Sequence, residues 1–166
     1  YFQEPGVADE GLGRDPATTM RRFLAGVSGD VDEAAAAERL RRDDRGMVER
    51  LPDPAALPAW LPQEELDAYI AAFRRTGFTG PINWYRNMDR NWELMAPYEG
   101  KGVDVPSLFI GGTDDVVLRM MSPEAAEPWL HDHRGTVLVE GAGHWVQQER
   151  PDVVNDALLR FLADLG

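Results

Sequence analysis

The chain has 166 residues, with 29 acidic against 17 basic side chains and a net charge of −12. That length allows a buried core, and the charge disfavours nucleic acid and anionic membrane as partners. The absence of cysteine excludes disulfides, thiolate zinc sites and a cysteine nucleophile. No apolar run approaches the ~20 residues that span a bilayer, and a cytoplasmic location is the default expectation.

Residues 1–97 read as helical and rich in loops, without a strand. Asp15-Pro16 opens a helix expected over 16–26, with proline suited to the first turn and Gly26 to a terminus. Asp30 is placed as the cap of a second, alanine-rich helix over 31–42. The prolines of 51–58 cannot continue a helix. Another helix is expected over 62–76, its face formed by Leu66, Tyr69, Ile70 and Phe73 and its end by Gly77. The character changes between 97 and 105. A buried strand is expected over 106–110, then a short helix with Ser122 as cap and Pro123 at its first position. A second strand follows over 136–139. A closing amphipathic helix over 151–165 draws its face from Val154, Leu158, Phe161, Leu162 and Leu165. Strand, helix, strand, helix implies a βαβ crossover in a parallel sheet. Two strands leave open edges and a bare face, so the rest of a sheet is expected from elsewhere.

The two strand ends carry the chemistry. After the first comes Gly111-Gly-Thr-Asp-Asp115; after the second comes Glu140-Gly-Ala-Gly-His144-Trp-Val-Gln-Gln-Glu149. An acid followed by a histidine is the chain order of the second and third members of a hydrolase triad whose nucleophile comes first. A histidine with a pKa of about 6.5 supplies abundant neutral base at pH 7. Flanking Gly141 and Gly143 let the backbone turn tightly beside it. Asp114 and Asp115 both stand where they could orient the imidazole, and Asp115, directly before Val116, is preferred. No serine sits on a strand-to-helix elbow, so the chain reads as the carboxyl-terminal half of a hydrolase, beginning at Tyr1 and not at Met. Asn83-Trp-Tyr-Arg-Asn-Met88 is the other notable segment. It is either an aromatic helix start packed in the core or, through the Tyr85 phenol, a donor to a developing alkoxide. His131 and His133 read as surface residues.

Four stretches together resemble the microbial and soluble epoxide hydrolases of the α/β-hydrolase fold. They are Tyr1-Phe-Gln-Glu-Pro-Gly-Val-Ala8, Gly77-Phe-Thr-Gly-Pro-Ile-Asn-Trp-Tyr-Arg-Asn-Met88, the Asp115 turn, and Gly143-His-Trp-Val-Gln-Gln-Glu-Arg-Pro151. The resemblance implies an incomplete α/β-hydrolase fold, with a helical lid over 1–97 and the final βαβα of the core over 98–166. It implies that Tyr85 is one of two lid tyrosines polarising the oxirane oxygen, that His144 activates water, and that Asp115 orients it. Phe2, Phe23, Trp84, Val117 and Trp145 match positions of the pocket wall. The aspartate nucleophile of that family, its oxyanion loop and the second lid tyrosine have no counterpart among these residues.

The activity implied is conversion of an epoxide to a vicinal diol through an ester on the enzyme, with no metal or organic cofactor. The partners implied are a small apolar epoxide, water and the amino-terminal half of the same protein, with a homodimer open. Two rivals stand beside it. A haloalkane dehalogenase or esterase would share Asp115 and His144 without needing Tyr85. A non-catalytic binding protein would need none of them.

Overall fold

The computed structural model describes residues 4–32, 34–35 and 44–166. These fall into two compact units, one built from residues up to 26 and from 44–99, the other from 27–32, 34–35 and 100–166.

The first unit is helical: α1 Val7–Gly13, α2 Pro16–Gly26, the single turn α3 Met47–Arg50, α4 Gln63–Thr76, α5 Thr79–Arg86, α6 Met88–Met95, and a 3-10 turn Ala96–Tyr98. The start of α2 is set by Asp15. One of its carboxylate oxygens accepts the Ala17 and Thr18 N–H groups at 3.1 and 3.3 Å, and the other accepts the Thr18 hydroxyl at 2.6 Å. These donors satisfy helix N–H groups that have no intrahelical partner. They also hold the Asp15 carboxyl below its usual range. The inner face of α2 buries Thr19, Met20, Leu24 and Ala25 and packs against α4. There Leu66 and Ile70 are buried, four apart on one face. Thr19 is buried because its hydroxyl donates to the Leu12 carbonyl at 2.8 Å, joining α1 to α2. The proline-rich 51–58 stretch is held by arginines of α2. Arg22 donates to the Val48 carbonyl at 3.1 Å and pairs with Asp53 at 3.3 Å. Gly77, at φ +68°, ends α4 in a conformation that side chains avoid.

The second unit holds the sheet. Strand β1 (Ser107–Gly112) pairs in parallel with β2 (His133–Val139), in the register Ile110↔Val137, Gly111↔Leu138, Gly112↔Val139. Strand β2 begins three residues before the expected start at 136, because Ser107 pairs with His133 beyond an irregularity in the ladder. The crossover differs from expectation in kind. It consists of two 3-10 turns, Pro123–Ala125 and Glu127–Trp129. Pro128 supplies no N–H for an α-helical bond back to Glu124, so one continuous α-helix cannot form. Ser122 precedes the first turn but makes no side-chain cap; its hydroxyl donates instead to the Glu124 carboxylate. After β2 come the single turn α7 Val146–Glu149 and the helix α8 Pro151–Ala163, which lies against β2. Of the expected apolar face of α8, only Val154 is buried; Leu158, Leu162 and Leu165 are 42%, 58% and 44% exposed. A two-stranded sheet is too narrow to cover that face.

The helix expected over 31–42 lies mostly outside the described residues. Of its start, Ala34 and Ala35 are helical, and the Ala35 N–H donates to the Asp32 carboxylate at 2.8 Å. The acid at that first turn is therefore Asp32, two residues after the expected Asp30.

Candidate active site

The site grows from the carboxyl ends of the two strands, where the chain leaves the sheet and side chains are free of the ladder. At the end of β1, Gly112 lies against the loop after β2. A Cβ there would overlap the Ala142 carbonyl oxygen and come within 2.5 Å of the Gly143 carbonyl oxygen. Three hydrogen bonds fasten the two loops together. The Thr113 N–H donates to the Val139 carbonyl at 3.1 Å, the Asp114 N–H to the Ala142 carbonyl at 2.9 Å, and the Gly141 N–H to the Thr113 hydroxyl at 2.9 Å. Asp114 thus serves through its backbone.

Asp115 follows, 8% exposed. One carboxylate oxygen accepts the Val117 N–H at 2.8 Å, and both lie 3.1 Å from Nδ1 of His144. An ionised carboxylate only accepts hydrogen bonds, so Nδ1 carries the proton and Nε2 presents a lone pair. The His144 side chain is 39% exposed while that of Asp115 is 12% exposed. A buried acid behind a half-open imidazole is the geometry of an oriented general base. The Trp145 ring meets the imidazole edge to face, with centroids 5.0 Å apart.

Glu149 is the participant that sequence reasoning missed. It accepts hydrogen bonds from the N–H groups of Gly29 and Gly143 at 2.9 Å each, from the Ser28 hydroxyl at 3.3 Å, and from the Trp145 N–H at 3.1 Å. The signal was present, since a carboxylate four residues after Trp145 can reach back over the first turn of a helix. The partnership with residues 28–29, more than a hundred positions away, had no local signature. Segment 27–29 is pressed close: the His144 N–H donates to the Val27 carbonyl at 3.0 Å, and a Cβ on Gly143 would overlap the Gly29 nitrogen.

The remaining expected site residues are distributed as follows. Val117 and Trp145 stand beside the Asp115–His144 pair, each half-buried, and the Trp145 indole N–H is buried without a hydrogen-bond partner among the described residues. Tyr85, Trp84 and Phe23 belong to the first unit. Phe23 is half-buried on α2. Trp84 is 79% and Tyr85 42% exposed, near the end of α5 and not at a helix start, so Trp84 is not a packed core aromatic. Their neighbour Arg86 is held by Asp9 of α1, which also accepts the Thr79 hydroxyl at 2.6 Å, and Arg86 donates to the Asn83 amide oxygen at 3.3 Å. Those polar residues therefore anchor α5 to α1. Phe2 lies outside the described residues. His131 is exposed and bonds Asp104 at 2.7 Å. His133 is half-buried, between the hydroxyls of Ser107 and Thr136 at 3.4 and 3.1 Å.

Comparison with known proteins gives consistent matches. A model described as the alpha/beta hydrolase family matches residues 4–157. The chain is 54% identical over 165 residues to epoxide hydrolase A of Mycobacterium tuberculosis (strain ATCC 25618 / H37Rv), a match covering 99% of this chain and 51% of that protein. It is 34% identical to bifunctional epoxide hydrolase 2 of Mus musculus, over 98% of this chain and 28% of that one. Among solved structures, epoxide hydrolase A from Mycobacterium thermoresistibile matches at 54% identity with a TM-score of 0.90, over 98% of this chain and 50% of that one. An epoxide hydrolase from an endophytic Streptomyces matches at 37% identity with a TM-score of 0.92, over 99% and 51%. The chain spans about half the length, or less, of these relatives.

Proposed function

Because this chain belongs to the alpha/beta hydrolase family, we propose that it supplies the base, the orienting acid and one lid donor of an epoxide hydrolase. The observation that carries this reading is the His144–Asp115 pair: Nδ1 at 3.1 Å from both oxygens of a buried carboxylate, on a half-open imidazole. The epoxide hydrolase names of the relatives, at up to 54% identity, support the choice of substrate.

The chemistry runs in two steps. An aspartate carboxylate, contributed by the amino-terminal half of the same protein, attacks a ring carbon of an apolar epoxide. The ring C–O bond breaks, an ester forms, and the departing oxygen takes a proton from the Tyr85 phenol. His144 Nε2 then removes a proton from water, whose oxygen adds to the ester carbonyl. Collapse frees the vicinal diol and regenerates the carboxylate. The proton left on the His144 imidazolium is returned through solvent to the Tyr85 phenolate, which restores both groups. Asp115 stabilises the imidazolium formed on the way. Phe2, Phe23, Trp84, Val117 and Trp145 are proposed to line the apolar pocket. The location is proposed to be cytoplasmic and the assembly a homodimer, which cell fractionation and sedimentation test directly.

The test uses the complete polypeptide with three substrate panels: styrene oxide, chloroalkanes and carboxylic esters. Turnover of the epoxide, with Tyr85→Phe slowing ring opening by roughly 10²- to 10⁴-fold, supports the proposal. Preference for chloroalkanes or esters with Tyr85→Phe unaffected points instead to a dehalogenase or esterase. Absence of turnover on every panel points to a binding protein.

A further inference from the structure

We propose that Glu149 is a positioning residue for His144, acting on the second step of the reaction; the inference rests on the reading of His144 as the base. One carboxylate grips the backbone on both sides of the histidine. Its Oε2 accepts the Gly143 N–H at 2.9 Å and its Oε1 the Trp145 N–H at 3.1 Å. The same Oε2 also accepts the Gly29 N–H at 2.9 Å and the Ser28 hydroxyl at 3.3 Å. Those two N–H groups belong to the 142–143 and 144–145 peptides, and the peptide between them is held by the His144 N–H, which donates to the Val27 carbonyl at 3.0 Å. With all three fixed, the backbone dihedrals of His144 are set, and these determine where its side chain starts. The aim of the imidazole is thus set from behind, while Asp115 sets its rotation and tautomer.

The loop needs such a device. Gly141 sits at φ +67°, and Gly143 is held against residues 27–29 where no side chain fits. Glycines permit this path but leave the backbone free to take others. A charge satisfied by four donors removes that freedom, and hydrogen bonds to an ionised acceptor are about twice as strong as neutral ones. The chemistry calls for a carboxylate at this position. A glutamine has one acceptor oxygen, and its amide NH₂ would face N–H donors.

A misplacement of about 1 Å at a catalytic group can cost ~10²-fold in rate. Attack of water on the ester depends on the position of Nε2, whereas formation of the ester does not use the imidazole. Loss of Glu149 should therefore separate the two steps, which a general loss of stability would not do.

The experiment measures ester formation and ester hydrolysis by single-turnover kinetics on styrene oxide. It compares the complete polypeptide with its Glu149→Gln, Ser28→Ala and His144→Gln variants, and follows the Nδ1 proton of His144 by NMR. The expected result for Glu149→Gln is hydrolysis slowed by roughly 10- to 100-fold, formation of the ester unchanged, and a shifted or broadened Nδ1 resonance. If that variant does not fold, Ser28→Ala, which removes one of the four donors, carries the test: a smaller slowing confined to hydrolysis supports the proposal. Equal slowing of both steps, or of neither, overturns it. Ester accumulation in His144→Gln alongside parent-like Glu149→Gln defeats this inference alone. Absence of ester in His144→Gln defeats the functional reading, and the inference with it.

Discussion

Asp115 occupies a position that is nearly closed to solvent, with a backbone N–H on one oxygen and the imidazole on both. Asp115→Asn keeps the shape but offers an NH₂ to Nδ1, which forces the other tautomer and puts the proton on Nε2. In the complete polypeptide we expect ester hydrolysis to fall by up to ~10⁴-fold, with ester formation preserved; rapid-quench analysis of the intermediate checks this. Of the two glycines flanking Ala142, Gly143 is the more tightly enclosed. Gly143→Ala places a methyl into the Gly29 nitrogen and 2.5 Å from the Ser28 carbonyl carbon. Overpacking of this kind costs about 1–3 kcal/mol, measurable by denaturant titration. At this scale the sequence was readable wherever chemistry is local. An acid and a histidine just past two strands could be seen in the chain, and it is Asp115, not Asp114, whose carboxylate bonds the imidazole. Glu149 was not readable, because its partners at 28–29 are brought near only by the folded backbone.

Among the elements, α2 and α4 follow their sequence signals closely. Asp15-Pro16 and Gly77 act through the backbone groups they satisfy, and Leu66 and Ile70 keep a helical period. Asp15→Ala should destabilise the protein by about 1 kcal/mol, the usual worth of such a cap, as read from thermal melting. The joint between α1 and α5 is ionic. The Arg86 guanidinium, and then the Thr79 hydroxyl, hold the Asp9 carboxyl well below the usual carboxylate range. A depressed carboxyl stabilises the fold fully above its unfolded pKa, about 3.9, and loses that contribution as pH falls toward the folded value. Asp9→Asn should therefore melt earlier than the parent at pH 7, and the gap should narrow progressively below about pH 4. A gap that stayed constant with pH would remove Asp9 from the account. The crossover between the strands is shorter-turned than expected: Ser122 and Pro123 read as a helix start, and Pro123 does open a turn, but of 3-10 type. Pro128, five residues after Pro123, breaks the α-helical ladder. The long apolar stripe of α8 was legible as a pattern, but burial depends on the width of the sheet facing it.

For the molecule as a whole, a helical unit and a unit with two parallel strands together form part of an alpha/beta hydrolase. The family's architecture was visible in the sequence through the order strand, acid, strand, histidine and through the segment around Tyr85. The extent of the second unit was not, since residues 27–32 join it through contacts with the histidine loop that no local pattern announces. The central claim is that His144 serves the hydrolysis of a covalent ester. Intact-mass spectrometry of the complete polypeptide carrying His144→Gln, after brief exposure to styrene oxide, tests it most directly. The account predicts a stable gain equal to the mass of one epoxide, absent in the parent because the parent releases the diol. An unmodified mass together with undiminished diol production would contradict it.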